Sequence, residues 1–138
     1  MNKLTRKTHD EIIEKFPWAA ELNLAEEVNK EEGYFYDLPK WQFGIGRMKL
    51  IHDMFQNMSK YFESINQNPE VTVYEVKDVF GFLRVDLFSI HQSIYSIKEQ
   101  YEMLSEVTCS ECGDSGTLRM MKSGPMVLCE LCHYERLF

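Results

Sequence analysis

All four cysteines of this 138-residue chain lie in its last thirty positions, as two Cys-x-x-Cys pairs, Cys109–Cys112 and Cys129–Cys132. Each pair makes a tight turn that aims two sulfurs at one point. The sixteen residues between the pairs suit a short hairpin that brings the second turn under the first. Gly113 and Gly116 supply the backbone freedom such turns need. The stretches TLRMMK and MVLCEL, joined by Ser123–Gly124–Pro125, read as the hairpin's strands. The pattern predicts a zinc ribbon spanning 108–138, with Cys109, Cys112, Cys129 and Cys132 as thiolate ligands and Zn2+ in a structural role.

That donor set also bounds the chemistry. Four sulfurs close the tetrahedron and leave no position for water, which tells against zinc-dependent hydrolysis. The ion stabilises a segment too small to build its own core. Four thiolates around one Zn2+ leave a local charge of about −2, which disfavours phosphate next to the metal. Other readings of these cysteines fit less well. CELCH matches the c-type haem attachment pattern, but haem attachment requires export and leaves Cys109 and Cys112 without a role. A redox Cys-x-x-Cys belongs between a strand and a helix. His133 reads as a neighbour of the metal, since four sulfurs are already present. The deaminase signature is absent.

The net charge of −7 is spread along the chain: residues 1–37 hold 5 Lys/Arg against 9 Asp/Glu, 38–107 hold 7 against 9, and 108–138 hold 3 against 4. No region is basic, which argues against a nucleic-acid binder working through phosphate neutralisation. The N-terminus is polar, and no apolar run approaches the roughly 20 residues of a membrane helix. The expectation is a cytoplasmic protein with no membrane partner. In a reducing compartment four thiols are metal ligands rather than disulfides.

A helix is predicted from Thr8, capped by its hydroxyl with Glu11 three residues on, and stopped at Pro17. WAAELNLAEEVNKEEG reads as a second helix with an acidic outer face, and YFYDLPKWQFGIG as a loop whose aromatics pack on the core. Met48, Ile51, Phe55, Met58, Phe62 and Ile65 recur at helical spacing. Val71–Lys77 and Phe82–Phe88 read as strands, with a turn or bulge around Asp78–Gly81. A third long helix follows, capped by Ser89, with Ile90, Ile94, Ile97, Tyr101 and Leu104 as its apolar stripe. The fold class is α+β: helices around a short antiparallel β-hairpin, with a C-terminal zinc ribbon. The organisation is an acidic helical segment (1–37), an α+β core (38–107) and the ribbon (108–138).

No catalytic constellation is visible. His9, His52 and His91 are scattered and read as surface or capping histidines, and His52 and Asp53 are adjacent on a helix, where neighbours do not face each other. The Glu26–Glu27 and Glu31–Glu32 pairs read as a solvated helix face. No phosphate loop, nucleophile elbow or HExxH occurs, and FGIG and VFGF are too short to count as one. KDVFGFLRVDLF is a candidate binding patch through Lys77, Phe80, Gly81 and Arg84, or else a bulge at Gly81 with charges in solvent.

The order GIGRMKLIHDMFQNM, VKDVFGFLRVDLF, YEMLSEVTCSECG and a second Cys-x-x-Cys resembles a family of small phage- and prophage-borne zinc-ribbon proteins. The resemblance covers roughly residues 44–135. Its most specific parts are Lys77, Phe80–Gly81, Leu83–Arg84 and the four cysteines. Phe82 stands where the family usually has a second glycine. The family has no settled activity, so the resemblance implies a mobile-element origin and the ribbon, and no reaction. With it, the expected function is a non-enzymatic zinc protein that acts by protein–protein interaction, inhibiting a host defence or regulatory protein. One alternative is a nucleic-acid-associated ribbon using Lys77, Arg84, Arg119, Lys122 and Arg136. Another is a small nucleotide-binding protein or enzyme using the cleft beside FGFLR.

Overall fold

The computed structural model describes residues 7–21 and 41–137. The remainder of the predicted second helix and the loop residues 34–40 lie outside the described residues. Helix α1, His9–Lys15, starts as expected: Thr8 Oγ1 accepts from the Glu11 amide at 3.1 Å. It buries Ile12, and a 3₁₀ turn, Pro17–Ala19, follows.

Helix α2, Ile45–Ser64, is the spine. Met48, Ile51, Phe55, Met58 and Phe62 are buried at the expected spacing, and Met54 joins them. Ile65 does not: it is the residue that ends the helix and stands 37% exposed. Phe16, Trp18 and Trp41 pack around Phe55, with ring centroids 5.4–6.2 Å away. The described end of the aromatic loop thus lies in the core.

Strands β1, Thr72–Val79, and β2, Phe82–Phe88, pair antiparallel and bury Val73, Val76, Leu83, Val85 and Leu87. Of the turn or bulge expected around Asp78–Gly81, the structure has the turn, two residues long. Phe80 and Gly81 both have positive φ, 54° and 91°, as a type I′ hairpin requires. The register shift falls at Tyr74, between Val73 and Glu75.

Helix α3, Gln92–Ser105, packs on α2 and β2 through Ile94 and Tyr101, with Ile97 at the edge. His91, not Ser89, holds the N-cap position. Ser89 Oγ instead accepts from the His91 amide at 3.1 Å and donates to the Glu70 carbonyl at 2.8 Å. Ile90 therefore precedes the helix, and both Ile90 and Leu104 are exposed.

The C-terminal ribbon comprises β3, Thr117–Met121, antiparallel to β4, Gly124–Leu128, and a short helix α4, Glu130–Arg136. Lys122 and Ser123 form the turn, one residue earlier than expected, and Pro125 is in the strand opposite Met120. In a two-stranded sheet every strand is an edge, where a missing amide is tolerated. The second strand stops at Leu128, because Cys129 caps α4: its Sγ accepts from the Cys132 amide at 3.4 Å. Among the described residues no helix is long and apolar enough to cross a membrane.

The turn yields a paired expectation. Phenylalanine at φ 54° carries a left-handed strain of about 1–2 kcal/mol, and asparagine is a preferred residue there. Phe80→Asn should raise the unfolding free energy by about 1 kcal/mol. Gly81→Ala should lower it by about 2–4 kcal/mol, adding left-handed strain to crowding, since its Cβ would come within 2.8 Å of Leu118 Cδ1. Urea denaturation of both variants measures this.

Candidate metal centre

The first cysteine loop is shaped by its own backbone. The Gly113 amide donates to the Cys109 carbonyl at 2.9 Å, with Gly113 at φ 89°, and the Cys109 amide donates to the Asp114 carbonyl at 2.7 Å. The Ser110 amide donates to the Val127 carbonyl at 2.9 Å, tying this loop to β4. The second loop is continuous with α4, where the His133 amide donates to the Cys129 carbonyl at 2.9 Å. Arg136 pairs with Glu111, joining α4 to the first loop.

These constraints bring the sulfurs of Cys109, Cys112, Cys129 and Cys132 within 4.8 Å of one another, with Cys112 and Cys129 3.6 Å apart and all four thiols free. A tetrahedral ion with metal–sulfur bonds of about 2.3 Å has sulfur–sulfur edges of about 3.8 Å, so the group can hold one metal ion. His133 stays outside it: its Nδ1 lies 3.2 Å from Arg119, whose Nε donates to the Leu128 carbonyl at 3.1 Å.

The thiols are not equivalent. Burial pushes the Cys109 thiol up, but the backbone amides of Cys112, Cys129 and Glu111 more than offset this and hold it at about 7. Burial pushes Cys112 up to about 11, helped by the Cys129 and Cys109 sulfurs against an opposing Asp114 amide. Burial and then the other three sulfurs push Cys132 up as well. Without a cation, four thiolates in this space repel one another.

The cage is seated on the fold by a contact that sequence reasoning missed. Helix α2 has no side-chain cap. Instead, its Gly46 and Arg47 amides donate to the carbonyls of Glu111 and Ser110, at 3.2 and 3.0 Å. Glycine is required for this approach: a Cβ on Gly46 would lie 2.2 Å from the Cys109 carbonyl oxygen and 2.4 Å from the Gly113 nitrogen, and one on Gly44 2.3 Å from the Ser110 oxygen. The ribbon thus sits on the start of α2. The GIGR stretch was a usable signal, since two glycines at a helix start are costly unless a backbone comes close.

Arg47 continues the seat. Its side chain is 1% exposed, lies 3.2 Å from Asp78 Oδ2, and donates to the Gly81 carbonyl at 3.0 Å. Asp78 also accepts from the Gly81 amide at 2.8 Å. Burial lowers the Arg47 pKa and Asp78 opposes this. One guanidinium therefore links the helix start to the hairpin turn, and the turn lies against Leu118 and Pro125 of the ribbon.

Of the candidate patch, Gly81 is buried in this contact and Phe80 is 78% exposed. Lys77 and Arg84 are direct cross-strand partners, as are Glu75 and Asp86 beside them. Lys77 is 3.7 Å from Glu75, and Arg84 donates to the Leu83 carbonyl at 2.8 Å. This face carries two cations and two carboxylates, so it is balanced rather than basic.

The histidines are engaged locally. His9 meets Trp41 edge-on at 4.4 Å, and His91 Nδ1 lies 3.1 Å from Tyr61 Oη. His52 does reach its neighbour Asp53, at 3.0 Å, and Lys15 closes on its other nitrogen at 3.2 Å. No family model matches the chain, and no curated protein or solved structure matches it significantly.

Two expectations follow from this geometry. Cys112 and Cys132 must lose protons that they hold near neutrality. The apparent association constant for a thiophilic divalent probe such as Cd2+ should therefore rise by at least about two log units per pH unit between 7.5 and 9. Chelator competition across that range measures the slope. Gly46→Ala should lower both stability, by about 3 kcal/mol, and metal affinity, since the overpacked side chain must displace the Cys109 loop. Denaturation and chelator competition on the same variant read the two together.

Proposed function

We propose that this chain is a zinc-binding protein of phage or prophage origin that works in the cytoplasm by binding another protein, and that its biological effect is to block a host defence or regulatory protein. Zinc is the ion its four sulfurs suit best, because soft thiolates in tetrahedral array select it over the hard cations. Zinc held by four sulfurs keeps no position for water or substrate. Its part is to hold the Cys109 loop against α2 and, through Arg47, to support the hairpin tip.

The observation that carries the binding role is Phe80. It occupies a left-handed conformation that disfavours a large side chain, and it is 78% exposed. Strain at one residue that buries nothing points to a function for that residue. Other large apolar side chains are exposed on the ribbon: Leu118 and Met120 on β3, and Leu131 and Tyr134 on α4. Aromatic and methionine side chains of this kind are enriched where proteins meet. The nucleic-acid alternative gains less support, since Lys77 and Arg84 share their face with Glu75 and Asp86 and the chain carries −7 overall.

The test couples partner capture to stability. Zinc-loaded tagged protein should retain a specific bacterial protein, identified by mass spectrometry, with one zinc ion per chain by native mass. Phe80→Asn should weaken that capture at least tenfold while the variant is more stable. Cys112→Ser should lose the ion and lower Tm by about 10 °C, a loss of about 3 kcal/mol. Undiminished capture by Phe80→Asn, or no retained protein at all, would overturn the reading.

A further inference from the structure

A groove of about 350 Å³ runs between the β3–β4 hairpin and α4, walled by Met120, Met121 and Lys122 on one side and His133, Arg136 and Leu137 on the other. The chain has 22 Asp and Glu against 15 Lys and Arg, yet no carboxylate lines this groove. Lys122 is exposed at the hairpin turn. Arg136 meets Glu111 through one terminal nitrogen, and the guanidinium has further N–H donors. Arg119 stands behind His133 at 3.2 Å, adding a third fixed cation to this end of the ribbon. Two adjacent methionines form the apolar part, and methionine is the side chain that adapts to varied apolar partners.

We infer that this groove binds a short acidic–apolar peptide segment of the partner protein, a carboxylate lying between Lys122 and Arg136 and a Leu, Phe or Met side chain lying on Met120 and Met121. The inference rests on the protein-binding function proposed above and assigns the partner's chemistry. A cationic rim around an apolar floor selects against basic and purely polar segments by leaving charges unpaired. A nucleic acid would meet the same cations, but the floor offers it methionine and leucine in place of stacking rings. The −7 charge of the chain also repels a polyanion far more than a peptide with one or two carboxylates.

Selection of a displayed library of random peptides of roughly twelve residues on the immobilised, zinc-loaded full-length protein tests this, since such segments suffice for groove recognition. The expected winners carry Asp or Glu beside Leu, Phe or Met. Their affinity should fall about tenfold in Lys122→Glu, where attraction becomes repulsion, and severalfold in Met120→Ser. Both sites are exposed and both variants should keep the zinc, while Lys77→Glu, on the other hairpin, should bind within about twofold of the parent protein. Winners without acidic residues, indifference to Lys122→Glu, or no winners would each overturn the assignment. So would a labelled single- or double-stranded oligonucleotide that binds at low salt and is released by Lys122→Glu, which would give the groove to nucleic acid. If Lys122→Glu leaves partner capture intact while Phe80→Asn abolishes it, the groove is excluded and the protein-binding function stands. Loss of capture in neither variant removes both.

Discussion

The first turn of α2 ends on the carbonyls of the Cys109 loop. A helix start leaves amides without partners, and burying them unpaired is costly. Here the Gly46 and Arg47 amides are satisfied by Glu111 and Ser110 rather than by a capping side chain. The two parts depend on each other. The helix needs the loop for its hydrogen bonds, and the loop needs the glycine surface of the helix to approach closely. The ribbon gains a seat on the main domain through these backbone hydrogen bonds.

That seat extends to the hairpin through a single buried cation. Arg47 lies between the helix start and the turn at Phe80–Gly81, bonded to Asp78 and to a backbone carbonyl. A buried guanidinium is tolerated only when paired, and its partners here come from one turn. The metal cage, the helix start and the hairpin tip therefore form one connected unit around Arg47. On the function proposed above, an ion held by the four sulfurs would support the hairpin tip through this unit. The turn that carries Phe80 and the groove beside α4 both border the ribbon hairpin, so a single partner that contacts both would read whether the cage is intact.

The most local patterns were legible. Two Cys-x-x-Cys pairs sixteen residues apart foretold the sulfur cluster, because close turns and a short hairpin converge whatever surrounds them. The α2 stripe followed from helical periodicity up to Phe62, and failed at Ile65, where the helix ended. In the same way Ile90 and Leu104 fitted the α3 pattern by spacing, yet Ile90 lies before the helix, since Ser89 bonds to Glu70, just before β1, instead of capping. Helix α4 was hidden because its cap is a cysteine sulfur, which no capping pattern includes.

What the sequence alone determined is thus helix α1, the two long helices, the two hairpins and the convergence of four thiols, all governed by contacts a few residues long. The tertiary structure decided how the pieces meet: that the glycines before Arg47 face the cysteine loop, that Arg47 holds the turn, and that Phe80 is left in water while Gly81 is buried. The physical reason is that backbone approach and the pairing of a buried charge involve residues thirty to seventy positions apart. Neither leaves a periodic trace in the chain.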